Sequence, residues 1–418
     1  MKKLMLICAP VSSRSGYGDH ARDLVTSLIE HDKYDIKIQD VRWGECPRNA
    51  LDDNNPIHKK MLDCFLKDST LDRQPDIYVD IRIVPSEHSK KGFLDTLYDK
   101  VQQGPDGKQQ KVDELKLDKP IEVLFEGIDD DVYKPLTKDE IDSEFFDWLN
   151  DEVPEKFAFL QVGLWGQGNF GEDRKDIGRM LKVFYEAFAN KKKQPALILK
   201  TNGATFSIMD KEECLKRIKD IKSQFPSDWK LPNVYLLHGD LSKEEMNYLY
   251  NHPKVKAMVS LTHGEGFGRP MLEFSMIGKP IITSGWSGQL DFLKEDKCIL
   301  LPGKLEKVPA SAVWKDIIIE QSQWFVGDES RLYRAFNLVS NEYDIWKRKS
   351  MELMEINRNK FTLNNMTKAF DDIMSNKTDI PQQVSLKLPS LKKVKPKDKK
   401  ISPTIKLPKL KKVTEKVI

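Results

Sequence analysis

The sequence predicts an α/β protein of two Rossmann-like domains followed by a disordered basic tail, and three observations carry the prediction. A short apolar strand at Leu4–Ala9 runs into a glycine-rich turn and then an amphipathic helix, and the same order recurs from Phe157. The stretch from His263 to Ile282, HGEGFGRPMLEFSMIGKPII, reads as a loop, a helix and a returning strand after the apolar run Val255–Leu261. Strand–loop–helix–strand units of this kind wind open parallel sheets. From Lys377 the composition turns to lysine and proline, which cannot build a core.

The chain has 418 residues, enough for two cored domains and a tail. No apolar run approaches the roughly 20 residues of a membrane-spanning helix. Met1–Val11 has two lysines and a few apolar residues, too short for a signal peptide, and reads as the first strand. The five cysteines, Cys8, Cys46, Cys64, Cys214 and Cys298, are scattered, odd in number and form no CxxC pair. That argues against a disulfide framework or a zinc site and for a reducing cytoplasm, with the inner face of a membrane as a further address. The formal charge of +3 hides an asymmetry. Residues 377–418 hold thirteen lysines and three acids, a net +10, so the body carries −7.

In the first domain, residues 1–136, Gly16 and Gly18 bracket Tyr17 after the first strand. Asp19 is expected to cap a helix whose apolar face is Leu24, Val25, Leu28 and Ile29. Asp35–Val41 alternates as a second strand and Ile57–Leu66 reads as a helix. The β-rich run Ile77–Val84 leads directly into PSEHSK, which opens a helix at whose start His88 falls. Gln102–Lys111 reads as a polar surface loop, and Ile121–Phe125 as a strand before EGIDDDVYKP. Residues 137–155 are expected to form a helical, charged linker.

The second domain, residues 156–376, opens with the strand Phe157–Val162. Ile177, Met180, Leu181, Phe184 and Phe188 recur at helical spacing, which places Arg174 and Lys175 at a loop-to-helix junction. Two cations beside helix N–H groups suit a pyrophosphate. Ala196–Lys200 and Val234–Leu237 are strands, the second followed by the HGD loop of His238 and Gly239. Ser242 and Glu245 make a capping box for the next helix. In the organising stretch Gly266 and Gly268 let the chain turn, Pro270 suits a helix first turn, and Gly278 ends that helix. SGWSGQLDFL follows, with Trp286 expected to pack, and Glu329–Asp372 is a long helical region. In the tail, SLKLPSLKKVK from Ser385 recurs as TIKLPKLKKVT from Thr404. Prolines and self-repelling charge argue for disorder, with weak attraction to an anionic surface as the functional reading.

The GEGFGRPMLE segment, with Glu265 and Glu273 separated by seven residues and followed by GKPII and a Ser-Gly loop, resembles the donor site of retaining glycosyltransferases of the GT-B fold, family four, also called group 1. VLFEGID and SGWSGQLDFL give the chain a bacteriophage-like texture. The resemblance implies two Rossmann-like domains facing a cleft, a nucleotide-diphosphate sugar as donor substrate, and no bound cofactor or metal. Glu273 would hold the ribose, and Glu265 would lie beside the transferred sugar as the catalytic carboxylate. Lys175 first and Arg174 second would bind the diphosphate. His238 and Gly239 would lie at the base, the Gly266–Phe267–Gly268 turn against the donor, and Gly16, Tyr17 and Gly18 at the cleft. Many relatives carry an arginine where this chain has Leu164. The first domain looks short by one or two strand–helix units, those that commonly bind acceptor. The acceptor stays open among glycan, lipid, protein and modified DNA. A nucleotide-sugar epimerase and a non-catalytic nucleotide-sugar-binding protein are the alternatives.

Overall fold

The computed structural model describes residues 2–42, 46–67, 70, 71, 73, 82–104, 108–203, 206–314 and 318–378. The strand expected over Ile77–Val84 is therefore described only from Arg82, and the tail beyond Thr378 lies outside the described residues.

The first domain runs β1 (Lys3–Ala9), α1 (Gly16–His31), β2 (Tyr34–Asp40), α2 (Pro56–Asp63), β3 (Arg82–Val84), α3 (Glu87–Asp95), β4 (Leu97–Gln103), β5 (Gln109–Lys116) and β6 (Ile121–Val123). β1 pairs in parallel with β2, and β3 with β6. Two expectations are corrected here. The cap of α1 is Ser15, whose hydroxyl accepts the Gly18 N–H at 3.1 Å. Gly16, Tyr17 and Gly18 thus form the first helical turn, and Asp19 sits inside the helix, paired with Arg22. The other correction concerns Gln102–Lys111: of its described residues, Gln102, Gln103, Gln109, Gln110 and Lys111 belong to β4 and β5, which pair antiparallel. Both strands are wholly exposed, Leu97, Tyr98, Val101, Val112 and Leu115 included, so no buried face gave a signal in the sequence.

A 3-10 turn at Lys138–Glu140 and α4 (Ser143–Glu152) lead to the second domain, with Leu149 and Val153 already packed in its core. There follow β7 (Ala158–Val162), α5 (Ile177–Phe188), β8 (Ala196–Lys200), α6 (Ile208–Lys222), β9 (Val234–Leu237), α7 (Lys243–Asn251), β10 (Val255–Ser260), α8 (Arg269–Ser275), β11 (Ile281–Ser284), β12 (Ile299–Leu301), β13 (Gly303–Lys307) and β14 (Gln323–Gly327). Three helices close the fold: α9 (Glu329–Asn341), α10 (Tyr343–Lys360) and α11 (Leu363–Thr378).

Six strands form one parallel sheet in the order β12-β11-β10-β7-β8-β9. Alternate residues feed separate cores on its two faces. Ala158, Leu160, Ala196 and Ile198 pack with Tyr250, Leu272 and Phe274, whereas Phe159, Leu197 and Leu199 pack with Phe184, Phe188 and Phe336. That two-sided burial is why these strands read as unbroken apolar runs. The strand order reverses beside β7, which has β8 on one side and β10 on the other. Connections leaving the carboxyl ends of β7 and β10 therefore part company and open a crevice.

α11 returns to the first domain. Its Met366, Phe370 and Met374 share a core with Val25 and Leu28 of α1 and Ile36 and Ile38 of β2.

Candidate active site

The loops after β7 and β10 supply the centre of the site. Lys175 lies at the end of the first, two residues before α5, and Glu265 lies in the second. The Lys175 ammonium is paired with one oxygen of Glu265, and Arg174 Nη1 stands 3.3 Å from the other. Arg174 also donates to the Gly264 carbonyl at 3.1 Å. Burial alone would raise the Glu265 carboxyl, but Lys175 and then Arg174 outweigh it and hold it at about 2. Burial pushes the Lys175 ammonium below its usual range, against the pull of Glu265. The carboxylate is thus ionised at any physiological pH and aimed by two cations.

The cations do this with their side chains. Asp173 accepts the Ile177 N–H at 3.3 Å, so a carboxylate already occupies the start of α5. One of the helix N–H groups expected to be free at the start of α5 is therefore already taken.

The turn around Glu265 is locked from below. Its N–H donates to Ser287 Oγ at 2.8 Å, and the Gly288 N–H donates to its carbonyl at 3.1 Å. A Cβ on Gly288 would lie 2.2 Å from the Gly266 carbonyl oxygen, so only glycine fits there. Gly266 is exposed, and Gly268 turns the chain with φ +98° into α8. Phe267 points the other way, into the core against Phe292 and Phe361, so only its backbone faces the turn. Trp286 packs, stacked on Phe325 and edge-on to His88.

Glu273 lies on α8 in a different setting. Arg269 Nε donates to one oxygen at 3.0 Å and the Tyr250 hydroxyl to the other at 3.1 Å. Burial raises its carboxyl, opposed by Arg269. Arg269 pairs in turn with Asp23 of α1, joining the two domains through a buried network. Arg269, Tyr250 and Asp23 were not singled out from sequence. The only signal was Asp23 at i+4 from Asp19 on α1.

His238 is held by Asp210 at 2.8 Å, and the carbonyl of Gly239 accepts from Lys200. A cavity of about 200 Å³ lies beside this loop, lined by Gly163, Lys200, Asn202 and Asp240 among others. Arg14 Nη1, from the first domain, reaches Asp240 Oδ2 at 2.8 Å. His263 is structural: it stacks on Trp324 with ring centroids 4.0 Å apart, and its Nδ1 lies 2.6 Å from the Phe325 carbonyl oxygen.

From the first domain, Tyr17 stands over the turn, its hydroxyl 3.5 Å from the place of a Cβ on Gly266. Gly16 is exposed, and Gly18 is required by packing, since a Cβ would lie 2.1 Å from the Ser13 carbonyl oxygen. Ser86, the cap of α3, donates to the Gly266 carbonyl at 2.6 Å, and the Glu87 N–H donates to Asp291 at 3.0 Å. The PSEHSK segment therefore closes on the organising stretch.

No family model matches the chain, and no curated protein matches it. Solved structures do. HepE of Anabaena, in complex with UDP and glucose, is 12% identical over 61% of this chain and 57% of its own, with a TM-score of 0.43. Sucrose-phosphate synthase of Thermosynechococcus elongatus is 15% identical over 72% and 58%, with a TM-score of 0.47. The chain thus covers less than two thirds of the length of either. A glycosyltransferase of Rickettsia africae is 12% identical over 90% of this chain and 98% of its own, with a TM-score of 0.56. Two Rossmann-like domains about a crevice at the switch of strand order define the class: the fold is GT-B, shared with the Rickettsia africae glycosyltransferase. Among the described residues no helix is long and apolar enough to cross a membrane.

Proposed function

We propose that the chain is a glycosyltransferase of the group 1, family-four kind, of bacteriophage type, moving a hexose from a nucleotide-diphosphate sugar to an acceptor hydroxyl with retention of configuration. The observation that carries the reading is the meeting of Lys175, Arg174 and Glu265 at the crevice. Those residues were assigned from sequence to the diphosphate and the sugar, and 90 positions part Lys175 from Glu265.

In this reading the diphosphate oxygens compete with Glu265 for Lys175 and Arg174. The bond from the anomeric carbon to the diphosphate oxygen breaks, and its electrons stay on the leaving group, where the two cations stabilise them. The ionised Glu265 stabilises the positive charge growing on the sugar ring. The acceptor oxygen bonds to the same face of the anomeric carbon, and its proton passes to the departing diphosphate. Glu273 binds the ribose by exchanging Arg269 or Tyr250 for the ribose hydroxyls. His238 and Gly239 flank the base, beside the cavity. No resident cofactor or metal is assigned a step. The protein acts in the cytoplasm, and the basic tail adds weak attraction to an anionic surface.

The test is incubation with UDP-, GDP- and ADP-sugars, following binding and release of free nucleotide. Release from one donor, lost in Glu265→Gln, supports the reading. Binding without release favours a nucleotide-sugar-binding protein, and recovery of an isomerised donor favours an epimerase. Binding of no donor overturns all three.

A further inference from the structure

β7 lies inside the six-stranded sheet, and its alternation fixes the face on which Gln161 falls. Phe159, two residues earlier, packs with Phe184, Phe188 and Phe336 on the α5 face. A period of two puts Gln161 on that same face. Its backbone neighbour on β8 is Leu199, which belongs to the same core. Gln161 is 1% exposed. An amide thus stands where the strand pattern calls for an apolar group, a departure that function has to explain.

Neither atom of the amide has a hydrogen-bond partner among the described residues. Buried polar groups in native proteins are nearly always satisfied, so this one is poised for a partner that the free chain does not supply. Its surroundings say where that partner sits. Gly163, at φ +147°, leaves a gap in the wall of the crevice. A Cβ there would lie 3.1 Å from Lys175 Cε and 3.4 Å from Gln161 Nε2. The amide and the Lys175 stem therefore flank one point. That point is held firmly from β8: the Gly163 N–H donates to the Lys200 carbonyl at 3.2 Å, and Thr201 Oγ1 donates to the Gly163 carbonyl at 2.6 Å. Gly163 also lines the cavity of about 200 Å³ beside the His238 loop, so the gap opens onto the donor side of the crevice.

We propose that Gln161 is a further donor-binding residue, whose amide N–H donates to a diphosphate oxygen beside Lys175. The proposal rests on the transferase reading and adds a neutral donor to its two cations. In the free chain Glu265 engages both Lys175 and Arg174. A diphosphate that draws the Lys175 ammonium off Glu265 also moves the stem that lies at Gly163, which opens the amide. A carboxamide has two N–H donors and one acceptor oxygen, whereas a diphosphate has acceptors only. The amide nitrogen then donates to a phosphate oxygen, and the amide oxygen accepts from the Lys175 ammonium. Both halves of the side chain are satisfied in the complex. In the free chain the unpaired amide is destabilising, and an apolar group of the same shape is neutral or stabilising in its place. Binding and stability are therefore expected to respond to Gln161 in opposite directions.

The experiment compares the full chain with Gln161→Leu, Gln161→Met and Lys175→Met. UDP, GDP and ADP are titrated by calorimetry, and the thermal midpoint of each free chain is recorded. In both Gln161 variants the midpoint is expected to hold or rise. The dissociation constant of the diphosphate that the wild type binds is expected to rise about tenfold or more, the loss of one hydrogen bond to a charged group. Met, unbranched and close to glutamine in length, decides the outcome where the two variants differ. Wild-type affinity in the Gln161 variants, with weaker binding in Lys175→Met, overturns this proposal alone and leaves the diphosphate at Lys175. A lowered midpoint also overturns it, because the amide is then satisfied inside the fold by a buried water. Absence of binding to all three nucleotides by the wild type overturns the transferase reading and the proposal with it.

Discussion

Removing the Lys175 cation gives a sharp test of the site. Both members of the Lys175–Glu265 pair have side chains 9% exposed. Breaking a buried pair by deleting one partner costs about 3–5 kcal/mol, because the other charge stays buried. In Lys175→Met, Arg174 remains 3.3 Å from the second Glu265 oxygen. The expected loss therefore falls to about 2–3 kcal/mol. Glu265→Gln should cost a similar amount by stranding the ammonium. The double variant buries neither charge, so the two losses should fail to add by about 2 kcal/mol. Urea unfolding of the four proteins at pH 7 measures this cycle. Losses that add to within about 0.5 kcal/mol would show that the pair does not exist. The same proteins separate the roles in binding. A charge-assisted hydrogen bond contributes about 1.5–3 kcal/mol, so Lys175→Met should weaken nucleoside diphosphate binding about tenfold to hundredfold. Glu265→Gln should hold or tighten it, because the competitor for Lys175 is gone. Equal affinity in the wild type and Lys175→Met would refute the diphosphate assignment.

Four further outcomes are expected. Glu265 sits at about 2, below its ordinary 4.5, so its stabilising effect is present above pH 4.5 and is lost as pH falls through about 2. Glu265→Gln should flatten that acid limb of the stability curve, and an unchanged limb counts against the pairing. Glu126 has the opposite sign: raised to about 8, its contribution is complete below 4.5 and fades as pH rises through about 8. Glu126→Gln should remove this alkaline loss in chemical unfolding between pH 6 and pH 9, conditions set to bracket the shift. Gly288→Ala forces a Cβ to within 2.2 Å of the Gly266 carbonyl and should cost about 1–3 kcal/mol, read as a lower thermal midpoint; no change would mean that the Ser-Gly loop is not clasped to the turn. Deleting the chain after Thr378 should abolish co-sedimentation with anionic vesicles at low salt and leave donor binding intact, and retained sedimentation would place any basic surface elsewhere.

The sequence by itself determined the second domain. Strands buried on both faces must be apolar throughout, so β7, β8 and β10 were legible as runs, and α5 announced itself by its period. The Glu265–Glu273 spacing with its glycines marked the turn and helix, because few residues other than glycine tolerate φ +98° at Gly268 or the clasp at Gly288. The first domain was less legible. Its hairpin buries nothing, and Ser15 outcompeted Asp19 for a cap that sequence cannot rank between neighbours.

Only the tertiary structure decided which charges meet. The reversal of strand order beside β7 brings Lys175 to Glu265, and closure of α1 on α8 brings Asp23 to Arg269. It also left both ring nitrogens of His20 buried without partners among the described residues. Secondary structure follows from local sterics and periodic burial, which one chain segment records. A pKa or an unpaired donor depends on the groups that long-range packing sets beside it, and no local pattern carries that information.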